Sequence, residues 1–462
     1  MEVKNNSVDA ADNHKTGQKK YLERLDFDAT LAEEIVSNIY GKRVLDKANR
    51  LKQTPEYQER LNRNFLVADK PADDLALIIS KDPQVRKDYG NAIANGIDAV
   101  GNPCKELTAF IKSAENLPDF LDREMIELGG SIFRTKLNLL TFFTDGTPAI
   151  AIQAASIGIG AAAIFSQRPK GKAVSLADYD VLGDPSLVMR FMETFKWFNK
   201  ISKPGAGARF GEAFAENCRI RIIHGFVRRA ITNNPFDWNY EPPVGWDIDK
   251  LGIPISGAEG CVVVTTLAAA IDAAKINNSL NISDHEIEAL YQWVNYVSFM
   301  QGVPQEMLFG TAEETRVDFS AYMLSIDANC HKEFTEKFYS GILGLHLETA
   351  MFPRSVALQQ LIDAIIRASL HSTYGDKYCN HYSIPIPPKS VRLLFYGIKQ
   401  VSKGVNILGK YIPPLERKLD SSGEYLWEEV FVEAEKYLKL HFGATNVVSG
   451  TDNAHVKGAS SS

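Results

Sequence analysis

Helical periodicity dominates this 462-residue chain, and strand-like alternation is scarce. Apolar residues recur every three or four positions, the spacing that places them on one side of an α-helix. The pattern predicts helices over 32–39, 107–114, 187–198, 213–231, 287–300, 356–370 and 425–440. With 45% hydrophobic and 23% charged residues, the chain has enough apolar surface for a large core. We therefore expect an all-α fold built as a single large helical domain.

The charge and cysteine content exclude several classes of protein. A formal net charge of −6 and the lack of a long Lys/Arg run make nucleic acid an unexpected partner. The five cysteines are widely spread, odd in number and without a CxxC pair, which indicates reduced thiols. The first twenty residues are polar and lack an export signal. These features predict a cytoplasmic protein.

One segment, 148–165, is almost wholly apolar and could be mistaken for a membrane span. Alanine and glycine dominate it, so it is less apolar, residue for residue, than a spanning helix. Its small residues would let another backbone approach closely. We expect a buried helix here, although peripheral contact with a membrane stays open.

Motifs for other chemistries are incomplete. Gly205, Gly207 and Gly211 are spaced one residue too widely for a dinucleotide fingerprint, and the segment before them reads as helix. His285 begins an HExxH-like string whose second histidine is missing. No GxSxG elbow supports a hydrolase. A further set has soft-ligand chemistry but matches no zinc module, which favours a structural or surface role: His371, Cys379 and His381.

The segment 213–231 carries the most informative residue, His224. On a helix, His224 falls within one apolar stripe, which is formed by Ile220, Ile223, Val227 and Ile231. Arg221 and Arg228 lie three positions before and four positions after the imidazole, so they border the same face. They could pair with two carboxylates of a ligand bound by His224, such as the propionates of haem.

An ordinary structural interpretation is also open. A single histidine on an apolar helix face is commonly a core residue hydrogen-bonded to a carbonyl. Arginines beside it are commonly solvated or paired with protein carboxylates.

A second helix, 187–198, combines aromatic residues with Arg190 and Thr194, which share one face because they are four positions apart. They would project together into an apolar cavity. Alone, Arg190 would be an ordinary ion-paired residue, and Thr194 would bond to its own helix carbonyls.

The region from about 122 to 387 resembles the rubber oxygenase (latex clearing protein) and MpaB-type oxygenase family, which are helical proteins with b-type haem. The resemblance rests on landmarks in shared order. These are the Arg190-xxx-Thr194 helix, the Gly-rich loop 204–211, the Arg221–Arg228 core, Trp246-Asp247, Gly252-Ile253-Pro254-Ile255, 282–293 and 302–308.

The resemblance implies a role for each candidate residue. His224 would be the iron ligand, Arg221 and Arg228 would anchor haem, and Arg190 and Thr194 would lie on the oxygen-binding side. Glu193 departs from the lysine that rubber oxygenases can carry before the threonine. The acidic base proposed in that family has no motif here, and Asp178 and Asp180 are only nearby candidates.

Composition and the resemblance together divide the chain. We expect a disordered lead-in over 1–20, an N-terminal helical region over 21–121, a haem oxygenase-like catalytic domain with a globin-like core and a buried haem pocket over 122–388, a C-terminal helical region over 389–445 and a disordered tail over 446–462. The implied activity is haem b-dependent attack by O2 on a carbon–carbon double bond. The partner would be a hydrophobic unsaturated small molecule, because a cytosolic enzyme would not meet solid rubber. A haem-binding sensor or storage protein, or a haem-free helical interaction protein, stays open.

Overall fold

The structure is a computed structural model that describes residues 21–146, 185–231, 247–260, 262–330, 332, 335–336, 356–430 and 432. Within these ranges the chain is helical and forms no β-strand, only an isolated antiparallel bridge between Leu25 and Ile326. The prediction of an all-α fold with a single helical body is confirmed. The expectations for 1–20, 148–165, Asp178, Asp180 and 446–462 lie outside the described residues.

The first half of the described chain contains short helices joined by tight turns. They are α1 (Glu33–Tyr40), α2 (Lys42–Lys52), α3 (Pro55–Phe65), α4 (Lys70–Lys81), α5 (Pro83–Asn95), α6 (Lys105–Glu115), α7 (Arg123–Lys136) and the single turn α8 (Leu139–Thr141). A 3₁₀ turn, Ile97–Ala99, and a π-helical turn, Phe142–Gly146, complete this half.

The second half contains the longer helices. They are α9 (Pro185–Ile201), α10 (Glu212–Ile231), α11 (Ile248–Leu251), α12 (Val262–Asn277), α13 (Asp284–Met300), α14 (Ala312–Met323), α15 (Val356–His381), α16 (Lys389–Tyr411) and α17 (Pro413–Tyr425). A 3₁₀ turn, Gln305–Met307, precedes α14, and a π-helical turn, Leu426–Val430, follows α17.

Side-chain caps begin several of these helices. Asp69 caps α4 by accepting from the Ala72 amide, and Asp122 caps α7 in the same manner. Ser283 and Glu286 form a full capping box at the start of α13, with each side chain accepting from the other residue's amide. Two residues after the end of α13, Gly302 turns the chain with a left-handed φ of +80°. Local sequence therefore sets these boundaries without help from distant residues.

The described helices enclose two large hydrophobic clusters. The first core cluster includes Phe110, Phe133, Trp293 and Trp427. The Phe133 ring stacks on Trp293 with centroids 4.5 Å apart, and it lies 5.3 Å from the Trp427 ring. This cluster packs α7 against α13, and the C-terminal π-helical turn closes over it.

The second core cluster packs α1, α2 and α3 against α14 and α15. Its members include Leu61, Phe319 and Tyr374, all buried. Phe120 and Phe299 pack against both clusters. Residues on both sides of position 121 contribute to each cluster, and the boundaries at 121 and 388 stay a prediction.

The described residues also bear on the membrane and thiol expectations. None of the described helices is both long enough and apolar enough to cross a membrane. Four of the cysteines are described, and all four are free thiols: Cys104, Cys218, Cys330 and Cys379. Cys261 lies outside the described residues.

Candidate functional site

His224 lies in the middle of α10 and is half-buried. Burial and the nearby Arg228 guanidinium together lower its pKa to about 3, while Asp69 acts in the opposite direction. The imidazole is therefore neutral at pH 7. Its ring makes no hydrogen bond to any residue that the structure describes. A neutral ring with a free lone pair is the form in which histidine binds a metal.

An apolar group lies beside His224 on the same helix. Val227 and Ile231 are buried together, and Ile223 and Ile255 pack against them. Ile220, the fourth residue of the predicted stripe, packs instead against the first core cluster. The apolar group beside His224 is therefore formed by its own helix and by Ile255 of a later loop.

Two ion pairs hold α10 against the start of α4. The Arg221 Nη2 atom donates to Asp69 Oδ1 at 2.8 Å, and Arg221 Nε donates to the other oxygen of the same carboxylate. Arg228 Nε donates to Asp73 Oδ1 at 2.9 Å. Only about 4% of either side chain in the Arg221–Asp69 pair is exposed. Such bidentate pairs fix the position and rotation of the helix that carries them.

Pairing with an arginine lowers the pKa of both carboxyl groups, but the net pKa shifts of Asp69 and Asp73 have opposite signs. Burial disfavours the ionised form of Asp69, but the contact with Arg221 outweighs it and holds the pKa of Asp69 below its usual value. At Asp73, burial raises the pKa, and Arg228 offsets only part of the shift. Asp69 therefore stays ionised more readily than Asp73 and is the stronger partner for an arginine.

Gly225, next to His224, lies where α10 approaches α4 most closely. A Cβ atom there would lie 3.0 Å from the Ala72 carbonyl oxygen and 3.1 Å from Asp73 Oδ1. Any larger residue there would press on α4 beside Asp73, so glycine favours the close approach of the two helices.

Both predicted haem-anchoring arginines are consequently engaged by protein carboxylates, the alternative that the sequence left open. Arg221 keeps one nitrogen, Nη1, with no hydrogen-bond partner among the described residues. Arg228 Nη1 donates to the Ile255 carbonyl oxygen at 3.0 Å. Their role toward a ligand stays a prediction.

The loop after α11 contributes Ile255, which the sequence marked only as the last residue of a landmark and without a role. Ile255 has φ +52°, a left-handed conformation that is unfavourable for a β-branched residue. In that conformation its carbonyl accepts from Arg228 and its side chain packs on Val227. Nearby, Arg24 and Glu259 form a buried ion pair at 2.8 Å. The loop is therefore held from two sides.

Asp69 and Asp73 were also missed. Their sequence signal is an acidic pair four positions apart at the start of a helix, which places both on one face. That signal does not say which cations the pair faces, because Arg221 is 152 positions away in the chain.

Thr194 lies on α9, which packs against α10. Trp197 Nε1 donates to Asn217 Oδ1 at 3.0 Å, and Lys200 pairs with Glu216 at 3.2 Å, which fixes an antiparallel register. Position 190 lies two turns before Trp197, and position 224 lies two turns after Asn217. Extended by two turns, this register predicts that position 190 lies level with His224. Thr194 is half-buried, and the Arg190 side chain lies outside the described part.

The other candidate sites offer less. The amide of Gly205 donates to Glu127 at 2.6 Å, so a carboxylate occupies the Gly-rich loop that a dinucleotide phosphate would need. His371 contacts Asp376 at 2.7 Å through Nδ1. No group of three His, Cys, Asp or Glu residues suited to a metal occurs among the described residues. A groove of about 850 Å³ between α7 and the loop before α10 does not include His224.

The fold and site together define an all-α protein that carries a neutral imidazole on a helix clamped by two buried ion pairs. Among solved structures, latex clearing protein in the closed state is similar, with a TM-score of 0.50 and 16% sequence identity over 78% of this chain and 91% of that chain. No protein-family model and no curated protein matches the chain. The resemblance to the latex clearing protein fold is thereby confirmed.

Proposed function

We propose that the protein is a haem b-dependent oxygenase that uses O2 to attack a carbon–carbon double bond of a hydrophobic substrate, such as a small isoprenoid. The observation that carries the proposal is His224, whose ring is neutral and has no hydrogen-bond partner among the described residues. The similarity to the latex clearing protein fold supports it.

His224 is suited to the iron of a haem. The two arginines are less well suited to its propionates, because both are paired with protein carboxylates. His224 offers a neutral nitrogen donor beside an apolar cluster, so it would be the residue that holds the iron of a haem. Arg221 Nη1 is a buried donor without a partner in the described chain. Arg228 directs its donors to Asp73 and Ile255. Arg221 is therefore the better candidate for contact with a propionate.

Bound haem would supply the activation of O2. The chain's own residues would set the conditions for it. His224 would donate its lone pair, Ile223 and Val227 would exclude water, and Asp69 and Asp73 would hold α10 in place through its arginines. Arg190 would stabilise negative charge that develops on dioxygen, and Thr194 would add a hydrogen bond.

The haem proposal is tested by absorption spectroscopy of protein expressed with an adequate haem supply. We expect a Soret band in the wild type that is lost in His224→Ala. His285→Ala is the matched control, because His285 is exposed at the start of α13. Unchanged colour in His224→Ala would show that another residue binds the iron.

Catalysis is tested separately through Arg190. We expect Arg190→Ala to retain the Soret band while oxygen consumption with an unsaturated lipid falls by about tenfold or more, since a charged donor near the reacting oxygen is removed. Oxygen consumption is measured with an oxygen electrode. Lost haem binding in a folded Arg190→Ala protein would make the residue an anchor instead.

A haem-free helical protein is the second candidate, favoured by the protein carboxylates that already occupy both arginines. Failure of the wild type to bind haem would support it. A haem-binding sensor would show the Soret band but no substrate-dependent oxygen consumption.

A further inference from the structure

Helix α16 presents an apolar surface to solvent. Seven of its large apolar side chains are each at least 40% exposed, including Leu393 at 71% and Tyr411 at 78%. They are Leu393, Leu394, Tyr396, Val401, Ile407, Leu408 and Tyr411. Ile386 before the helix and Ile412 after it are exposed as well, so the apolar face continues beyond both ends. We call this surface the outer face of α16.

The inward side of α16 is more polar than the outer face. Its buried residues are Phe395, Ser402, Asn406 and Gly409, which recur at helical spacing. Asn406 Nδ2 donates to the Asn278 carbonyl oxygen at 3.0 Å, and Gly409 packs against Leu419 of α17. A helix on the surface of a globular protein ordinarily shows the reverse arrangement. Docking of α16 onto the body therefore leaves most of its large apolar side chains uncovered.

Cations line one flank of the outer face. Arg392, Lys399, Lys403 and Lys410 recur at intervals that keep them on one side, between the buried residues and the exposed apolar ones. With Lys389, α16 carries five cations and no acidic residue. Asp376 of α15 pairs with Arg392 at 3.4 Å, and the buried Asp145 lies near enough to Lys399 for that cation to lower its pKa. The outer face is therefore apolar with a positive border.

We propose that the outer face of α16 binds the surface of an anionic lipid bilayer, with the helix lying in the plane of the membrane. A long amphipathic helix with lysines at the border of its apolar face and tyrosines on that face is typical of interfacial binding. The lysine stems would extend along the apolar surface while their ammonium groups reach lipid phosphates.

Charge favours lipid over a second copy of this chain as the occupant. Two antiparallel copies of α16 packed through their outer faces would bring two rows of cations together on one side, whereas an anionic bilayer neutralises the row. A bilayer also accommodates an apolar strip about 35 Å long without shape complementarity. The proposal does not depend on haem or on the proposed activity.

The test is flotation of the full-length protein with phosphatidylcholine vesicles, with and without about one-quarter phosphatidylserine. We expect binding to the anionic vesicles that weakens as salt is added. Lys403→Gln with Lys410→Gln should weaken partitioning about 20- to 30-fold, given the usual contribution of each cation at an anionic surface. Lys81→Gln with Lys87→Gln, exposed near the α4–α5 junction, is the charge-matched control and should bind as the wild type does.

The apolar contribution is tested with Leu393→Ser combined with Tyr411→Ser. We expect at least about a tenfold loss of vesicle binding, because the two most exposed apolar side chains of α16 are removed. Val356→Ser with Ile276→Ser, two exposed apolar residues elsewhere, should leave binding unchanged. Circular dichroism confirms that each variant is folded.

Three results would overturn the proposal. One is a wild-type protein that does not float with anionic vesicles. Another is vesicle binding that both α16 variants retain in full. The third is a protein with twice the chain mass by light scattering that Leu393→Ser with Tyr411→Ser converts to monomer, since a second copy would then cover the outer face.

Discussion

At position 224, burial removes the charge of the imidazole and leaves its nitrogens without a partner among the described residues. This environment makes the stability of the fold depend on pH. A histidine whose pKa is lowered in this way takes up a proton in the folded protein only at acid pH.

We expect the stability of the haem-free protein to fall at acid pH partly because of His224. The unfolded chain binds this proton near pH 6.5, whereas the folded chain binds it only near a pKa of about 3. Between these values the proton favours the unfolded state, so stability is lost as pH falls below about 6.5, and above it the residue has no effect. Urea denaturation from neutral pH to about pH 4 should show a shallower loss in His224→Gln.

His285→Gln serves as the control for that measurement, because His285 is exposed. It should follow the wild type across the pH range. Identical pH slopes for His224→Gln and the wild type would mean that the ring is solvated.

The Arg221–Asp69 pair sets a second expectation at the residue scale. Arg221→Met should lower the free energy of unfolding by about 3–5 kcal/mol, because it leaves a buried carboxylate without its cation. The second change Asp69→Asn should recover part of the loss while keeping the cap of α4. Denaturant unfolding measures both.

Arg43→Met provides the comparison, since the Arg43 side chain is 73% exposed in its pair with Glu313. That change should cost less than about 1 kcal/mol. Equal costs for the two arginines would contradict the desolvated nature of the Arg221–Asp69 pair.

At the scale of helices, α7 and α13 cross so closely at Gly129 that there is no space for a side chain. A Cβ atom on Gly129 would lie 2.6 Å from the Ala289 carbonyl carbon and 2.7 Å from Trp293 Cβ. Neither neighbour can rotate away, because one is backbone and the other is the root of a buried indole that stacks on Phe133. The two helices are therefore in direct backbone contact.

We expect Gly129→Ala to destabilise the protein by about 1–3 kcal/mol or more, since the added methyl must separate α7 from α13. Gly90→Ala is the matched change on α5, where a Cβ atom would meet nothing within 4 Å. It should instead stabilise by about 0.5–1 kcal/mol, because alanine favours the helix. Thermal unfolding followed by circular dichroism compares them, and a neutral Gly129→Ala would contradict the contact.

Sequence predicted the helices better than their irregularities. The 287–300 pattern corresponds to α13, because helical periodicity is a local signal. The break in α15 at Gly375, where φ is +79°, and the π-helical turn after Tyr425 were not predicted. These depend on contacts with distant residues, such as Glu34 beside Gly375, which a single sequence does not show.

At the scale of the whole molecule, both core clusters draw on residues from each side of position 121. We expect one cooperative unfolding transition, because neither cluster can lose the first hundred residues and stay packed. Gly129→Ala, which affects the first core cluster, and Leu61→Ala, which affects the second, should both lower the same midpoint. Differential scanning calorimetry resolves this, and two separately shifting transitions would show independent units.

The site was predictable in part for the same reason as the fold. Periodicity identified His224 and its apolar neighbours, since these share one helix. The partners of Arg221 and Arg228 were not predictable, because Asp69 and Asp73 come from a helix far away in the chain. The left-handed backbone of Ile255 likewise depends on where Arg228 is held.

The carboxylates of Asp69 and Asp73 neutralise the two arginines at the junction of α4 and α10. No external anion is needed to bring the two guanidinium groups into the interior. The junction can therefore assemble on protein contacts alone, and the same two ion pairs fix the helix that carries His224.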